Sequence, residues 1–295
     1  MTTKQTAIGV VGLGAMGLGM ATTLASNGFA VRGFDLSDVR RKLAADGGVT
    51  PCETLADVFS GAEFIVFSLP TAKDVAAVVE ANLDALKGAA DRVIIIDTST
   101  SEPDVSRDLA AGLNALGHGF IDAPVSGGPA GAAGGTLTMM IGGSDADVER
   151  AKMVIDAMAA KALHVGPSGA GNVAKLVNNL LAAAHMVTTG EGLKLALAAG
   201  LEPEQALKVL NAASGKSMIS EVHFPTWVMN DRFDSGFTMG LMRKDVRLAG
   251  ELAARTGAAL PLSSEVARLW AESPLDNADD FTRMGAFRAA ANDNR

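Results

Sequence analysis

Val10-Val11-Gly12-Leu13-Gly14-Ala15-Met16-Gly17-Leu18-Gly19-Met20-Ala21 holds a G-x-G-x-x-G run between two different textures. Before it, Ala7-Ile8-Gly9-Val10-Val11 reads as a buried strand; after it, a helical pattern runs on from Met20 to Ser26 and ends near Gly28. Each glycine meets its own requirement. Gly12 permits a tight turn, Gly14 lets backbone amides approach a pyrophosphate, and Gly17 lets the helix pack closely on the strand. Leu13, Ala15 and Met16 fill the same turn and are expected at the cofactor with them. The helix N-terminus adds unpaired N–H groups and the positive end of its dipole. A second strand, Ala30-Val31-Arg32-Gly33-Phe34, ends in Asp35, eighteen residues after Gly17. An acidic group there accepts from the adenosine ribose hydroxyls and repels a 2′-phosphate, which favours NAD and leaves NADP as the alternative. Arg40, Arg41 and Lys42 are the counter-signal, in what reads as the next helix.

Outward from this turn, short apolar strands alternate with helical segments, the pattern of a parallel sheet covered on both faces. Phe64 to Leu69, Arg92 to Asp97, Gly119 to Pro124, Thr136 to Ile141 and Ala162 to Val165 are the further strands. Ligands in such sheets bind beyond the carboxyl ends of strands, where Pro70, Thr100 and Ser126 to Gly128 fall. The texture changes after Gly166-Pro167-Ser168-Gly169-Ala170-Gly171. A long helix runs from Asn172 to about Leu197, and the chain reads as all-helical to about Ser273. The expected division is therefore an α/β dinucleotide-binding domain over 1–166, doubly wound, and a helical domain over 167–295. Ala289 to Arg295 reads as a loosely held end.

Composition narrows the partners. With 295 residues, a net charge of −8 and a pI near 5.0, nucleic acid and anionic membrane are not expected as main partners. No apolar run approaches a membrane span, and Met1 to Thr6 lack the apolar core of a signal peptide, so a cytoplasmic location is expected. Cys52 is the only cysteine, which excludes an internal disulfide, and the absence of tyrosine excludes a catalytic Tyr. His118, His164, His185 and His223 show no ligand spacing, so no metal is expected.

Hydride transfer to a carbonyl needs a proton donor within hydrogen-bond reach of the oxygen that gains charge. Lys175, near the start of the long helix, shares a helix face with Asn179, four residues on. Together an ammonium and an amide can bracket one hydroxyl; from spacing alone, a solvated lysine on an ordinary amphipathic helix reads equally well. Ser126-Gly127-Gly128 offers a hydroxyl and two unencumbered amides, suited to a carboxylate, and by itself reads also as a flexible loop. Lys244-Asp245 reads as opening a helix, and Ser214 to Ser220, with Lys216, as facing the pocket from the helical domain.

Taken together these pieces resemble the β-hydroxyacid dehydrogenase family, which includes 3-hydroxyisobutyrate dehydrogenase. The resemblance runs from Ile8 to about Thr256. It rests on Gly-Leu-Gly-x-Met-Gly-x-x-Met-Ala at 12–21, Leu69-Pro70, Asp97 to Thr100, Asp122 to Gly128, Gly169 to Asn179 and Met242-x-Lys244-Asp245. It implies a Rossmann domain followed by an all-helical domain built on a long helix, and dimers or tetramers formed through the latter. It also implies Lys175 as the catalytic residue, with Asn179 and Ser126-Gly127-Gly128 at a short 3-hydroxy acid. Leu69, Pro70, Thr100 and Lys244 are implied near the cofactor, as is Asp74, where relatives often carry Asn. Thr23 departs from the Asn that commonly follows the Met-Ala pair. Among rivals, a 6-phosphogluconate dehydrogenase is usually much longer and carries His-Asn where this chain has Asn178-Asn179. An imine reductase generally replaces the lysine. A dinucleotide-binding scaffold without chemistry is opposed by Lys175 and the intact 126–128 glycine turn.

Overall fold

The β-branched run before Gly12 forms strand β1 (Ala7–Val11), and the residues after Gly14 form helix α1 (Ala15–Ser26). Both are seen in a computed structural model that describes residues 5–288; the end segment from Ala289 lies outside the described residues. Then follow β2 (Ala30–Phe34), α2 (Asp38–Asp46), β3 (Thr50–Pro51), α3 (Leu55–Phe59) and β4 (Phe64–Phe67). Next come α4 (Ala72–Ala81), α5 (Leu83–Lys87), β5 (Ile94–Asp97), α6 (Pro103–Ala115) and β6 (Gly119–Asp122). The sheet is completed by β7 (Val125–Ser126), α7 (Gly128–Gly134), β8 (Leu137–Gly142), α8 (Asp145–Met158) and β9 (Ala159–Gly166).

The strand order is β3-β2-β1-β4-β5-β6-β8-β7, with β9 paired to β8. From β3 to β6 every pairing is parallel, as the alternation of strand and helix requires. Beyond β6 the sheet departs from that expectation: β8 runs antiparallel to both β6 and β7. Only the short helix α7 separates β7 from β8, and Gly127 and Gly128, at φ +127° and +63°, turn the chain back between them. A parallel return would need a longer crossover. The 14-residue α8 supplies one, and β9 is parallel to β8.

Side chains of a strand alternate between faces, and the core follows that period. Phe64, Val66, Ile94 and Ile96 pack with Ile8, Val10 and Leu13 in one apolar cluster. Their sequence neighbours Ile65, Phe67 and Ile95 pack with Val11, Val58 and Val75 in another. The continuous apolar runs exist because both faces of the strands are covered.

The chain divides into two compact units at Lys175 and Leu176. The boundary falls inside helix α9 (Ala170–Ala198). The second unit continues through α10 (Pro203–Ala212), a π-helix (Ile219–Val228), α11 (Met239–Thr256), α12 (Pro261–Glu272) and a 3-10 turn (Phe281–Gly285). Pro225 lies inside the π-helix, where its missing N–H removes a donor from the regular ladder. The core here is aromatic and Met-rich: Trp270, Phe224 and Phe281 pack with Met186, Met239 and Met242. The Trp270 indole donates to the Ala183 carbonyl at 3.2 Å. Among the described residues, no helix is long and apolar enough to cross a membrane.

Candidate functional site

The glycine turn is built on contacts that only glycine allows. Gly12 sits at φ +87°, and a Cβ there would lie 2.3 Å from the Ser68 carbonyl oxygen. A Cβ on Gly17 would meet the Gly12 oxygen at 1.8 Å, so helix and strand touch backbone to backbone. Gly14 differs: nothing lies within 4 Å of the Cβ position, which leaves open space over the turn. Gly14 is also the N-cap of α1, with no side-chain cap and no acidic residue in the first turn. That combination presents helix N-terminal amides to an anion.

Asp35 stands at the end of β2 and faces back to this turn. Its carboxylate accepts from Leu13 N at 2.7 Å and from Ser37 N at 2.9 Å. Arg41, on α2, is held in place: it donates to the Asp35 carbonyl at 2.6 Å and pairs with Asp38 at 2.5 Å and Glu53 at 3.3 Å. Its guanidinium also lies over the Phe34 ring, 5.9 Å from the centroid.

Leu69 and Pro70 follow β4, and Thr98 to Ser101 follow the adjacent β5. The two ends are laced together. Leu69 N donates to Ser99 Oγ at 2.9 Å, Thr98 Oγ1 donates to the Phe67 carbonyl at 2.6 Å, and Ser99 N donates to Asp97 Oδ1 at 2.9 Å. Thr100 is half-buried in this loop. Asp74 is engaged locally: its carboxylate accepts from Thr71 N and Oγ1, closing a capping box at the start of α4.

Lys175 is buried in the second turn of α9, with 6% of its surface exposed. The first turn hangs from β6. The Asp122 carboxylate accepts from Gly169 N at 2.7 Å and Asn172 N at 2.9 Å. Burial pushes the Asp122 carboxyl above its ordinary range, opposed by these backbone donors. Ser126-Gly127-Gly128 begins four residues after Asp122, so the strand that anchors the lysine's helix also leads into that turn.

In the helical unit, Asn179 is buried; its Nδ2 donates to Asp245 Oδ2 at 2.6 Å, and its Oδ1 accepts from Asn178 at 3.1 Å. Asp245 is buried in turn, its other oxygen 3.5 Å from Lys244 Nζ. Lys244-Asp245 does not open its helix. Thr238 caps α11 by accepting from Leu241 N, which places the pair in the second turn. Lys216 pairs with Glu221 at 2.7 Å, and Ser217 and Ser220 bond to one another and, through Ser220, to Asn211.

His118 is a buried strut: Nδ1 accepts from Val93 N at 3.1 Å and Nε2 donates to the Leu86 carbonyl at 2.9 Å. Cys52 is buried, and burial pushes its thiol up. Among the described residues, no group of three His, Cys, Asp or Glu side chains could hold a metal ion. The linking roles of Asp122, Asn172, Ser99 and Asp245 were not read from the sequence. The one local signal was Asn172, a polar residue in the first turn of the long helix.

Comparison with known proteins adds two family matches that together span most of the chain. Residues 7–166 match the NAD binding domain of 6-phosphogluconate dehydrogenase. Residues 169–286 match the NAD-binding domain of NADP-dependent 3-hydroxyisobutyrate dehydrogenase. A 2-(hydroxymethyl)glutarate dehydrogenase of Eubacterium barkeri is 34% identical over 267 residues, covering 90% of this chain and 89% of that protein. An NAD-dependent L-serine dehydrogenase of Pseudomonas aeruginosa is 35% identical over 264 residues, covering 87% and 88%. The structure of a Mycobacterium tuberculosis 3-hydroxyisobutyrate dehydrogenase with L-serine superposes with a TM-score of 0.88 at 34% identity, covering 95% of this chain and 98% of that one.

Proposed function

This chain belongs to the β-hydroxyacid dehydrogenase family of nicotinamide-dependent oxidoreductases, and from that premise we propose that it oxidises a short 3-hydroxy carboxylic acid with NAD, or reduces the matching semialdehyde acid. The carrying observation is the burial of Lys175 near the start of α9. Lysine is rarely buried without a defined task.

The dinucleotide fits the turn at Gly12 to Gly17, where the space above Gly14 and the open start of α1 suit a pyrophosphate. When bound, NAD supplies the hydride acceptor. Asp35 would accept from the adenosine ribose, and its charge would repel a 2′-phosphate. Arg41, the cation best placed to offset this, is already paired with Asp38 and Glu53. Leu69, Pro70, Thr100 and Lys244 are assigned to the cofactor by family resemblance. Asp74 is assigned there too, with its carboxylate committed to Thr71.

For the substrate, Ser126 Oγ and the amides of Gly127 and Gly128 would hold the carboxylate, as a concave turn at positive φ allows. Lys175 Nζ would take the hydroxyl proton during oxidation and return it during reduction. Asn179 spends one N–H of its Nδ2 on Asp245, which fixes the amide plane and leaves the second N–H for the substrate oxygen.

The test is a panel of short 3-hydroxy acids with both cofactors, run beside Lys175→Ala. The variant is expected to lose about 10²–10⁴-fold in kcat while binding NADH normally. Retention of more than about a tenth of wild-type kcat would remove the lysine assignment, and a kcat/KM favouring NADP would reverse the cofactor assignment. The helical unit is the proposed site of self-association, because large apolar side chains such as Leu195 (71%) and Leu262 (84%) stand exposed on it. A fully active monomer in light scattering would refute that.

A further inference from the structure

We propose that Asn172 is a positioning residue, holding the helix that carries Lys175 in register with the loop after β5; this rests on the assignment of Lys175 as acid/base. Asn172 is fully buried, and each of its polar groups reaches a different segment. Its backbone N–H donates to Asp122 Oδ2 at the end of β6, at 2.9 Å. Its Oδ1 accepts from Ser101 N, in the loop after β5, at 2.9 Å. Its Nδ2 donates to Ser106 Oγ on α6 at 3.0 Å. The backbone and side chain of this one residue therefore tie the start of α9 to the end of β6, to the loop after β5 and to α6.

The surrounding backbone leaves α9 little freedom except rotation. A Cβ on Gly171 would lie 2.4 Å from the Met140 oxygen and 2.5 Å from the Asp122 oxygen, so the first turn already touches the sheet. Gly169, at φ +90°, would bring a Cβ within 2.8 Å of the Pro103 oxygen. Translation toward the sheet is blocked. Rotation of the turn about its axis is opposed by the two Asn172 side-chain bonds, which lie off that axis. Lys175 is three residues on, on the same helix face as Asn172, so any rotation passes directly to Nζ. A displacement of about 1 Å at a reacting group can cost about 10²-fold in rate.

The experiment compares wild type, Asn172→Leu, Ser106→Ala and Lys175→Ala for kcat, substrate KM, NADH affinity by fluorescence and thermal midpoint, with kinetics run well below the lowest midpoint. Asn172→Leu keeps the branching at Cγ and removes both side-chain bonds. It should lower kcat by about tenfold to 10²-fold while NADH affinity stays within about threefold, because the Gly12 to Gly17 turn is untouched. Ser106→Ala, which removes one bond, should lower kcat by about two- to fivefold. A purely structural role would lower the midpoint and leave kcat alone; wild-type kcat in a folded Asn172→Leu protein overturns the proposal. Should that variant fail to fold, wild-type kcat in Ser106→Ala overturns it instead. If Lys175→Ala stays active, the lysine reading fails and takes this one with it. If Lys175→Ala is inactive and the Asn172 and Ser106 variants match wild type, only the positioning role fails.

Discussion

In the sheet unit the groups proposed for cofactor and substrate are largely backbone: the turn at Gly12, Gly14 and Gly17, the amide of Leu13 on Asp35, and the glycines at 127 and 128. In the helical unit the corresponding groups are side chains, Asn179, Asp245 and Lys244, set by helices packed round Trp270 and Phe281. Backbone sites demand particular residues at fixed spacing, so substitution there fails sterically. Side-chain sites demand particular neighbours, and their failure is electrostatic or positional.

The sharpest way to break this contrast is Gly17→Ala. The new methyl would overlap the Gly12 carbonyl, so NADH affinity should fall by more than about 10²-fold or the protein should fail to fold. Gly14→Ala puts its methyl into the space proposed for the pyrophosphate and against no protein atom, so NADH affinity should fall while the thermal midpoint stays near wild type. Equal losses of thermal midpoint at the two positions would mean that the turn is not held by steric contact within the protein.

Asp35→Ala should act more gently. Removing the carboxylate takes away the repulsion of a 2′-phosphate, and the ratio of kcat/KM for NAD over NADP should narrow by about tenfold. An unchanged ratio would move discrimination elsewhere, Arg41 first.

The smallest effect belongs to the helical unit. His223 is wedged against Trp227 and Phe281, with ring centroids at 5.1 and 5.6 Å. Burial lowers its pKa from the ordinary 6.5, against weaker opposing pulls from the Met218 carbonyl and Asp280. The folded state resists protonation while the unfolded chain accepts it. Stability from this group is therefore full above pH 6.5 and is lost as pH falls through the lowered folded value. His223→Phe should flatten that loss, seen as a few degrees less fall in thermal midpoint on acidification. A wild-type slope in the variant would assign the acid sensitivity to other groups.

This comparison also explains what could be read from the chain directly. Strands β1, β4, β5 and β6 were visible because burial on both faces makes them continuous apolar runs, and the glycine turn because its constraints are local. β3 and β7 escaped because two residues cannot show a period. The antiparallel edge escaped because direction is set by what lies between strands, here a short helix and two glycines at positive φ. The start of α11 was misplaced because the capping role of Thr238 shows only in its bond to Leu241 N. Asn172 could be seen as polar, but its side-chain partners lie 66 and 71 residues away in sequence. No spacing rule reaches that far.

Both tryptophans, Trp227 and Trp270, belong to the helical unit, and the chain has no tyrosine. Emission excited near 295 nm therefore comes from that unit alone, leaving the sheet unit spectroscopically dark apart from its phenylalanines. Bound NADH, seated on the glycine turn, would supply the missing colour. Unfolding followed at the two wavelengths in one sample would show whether the halves melt as one cooperative body or in sequence. The contact of His223 with the Trp227 ring would make the indole signal itself a proton reporter, since an imidazolium beside an indole quenches it.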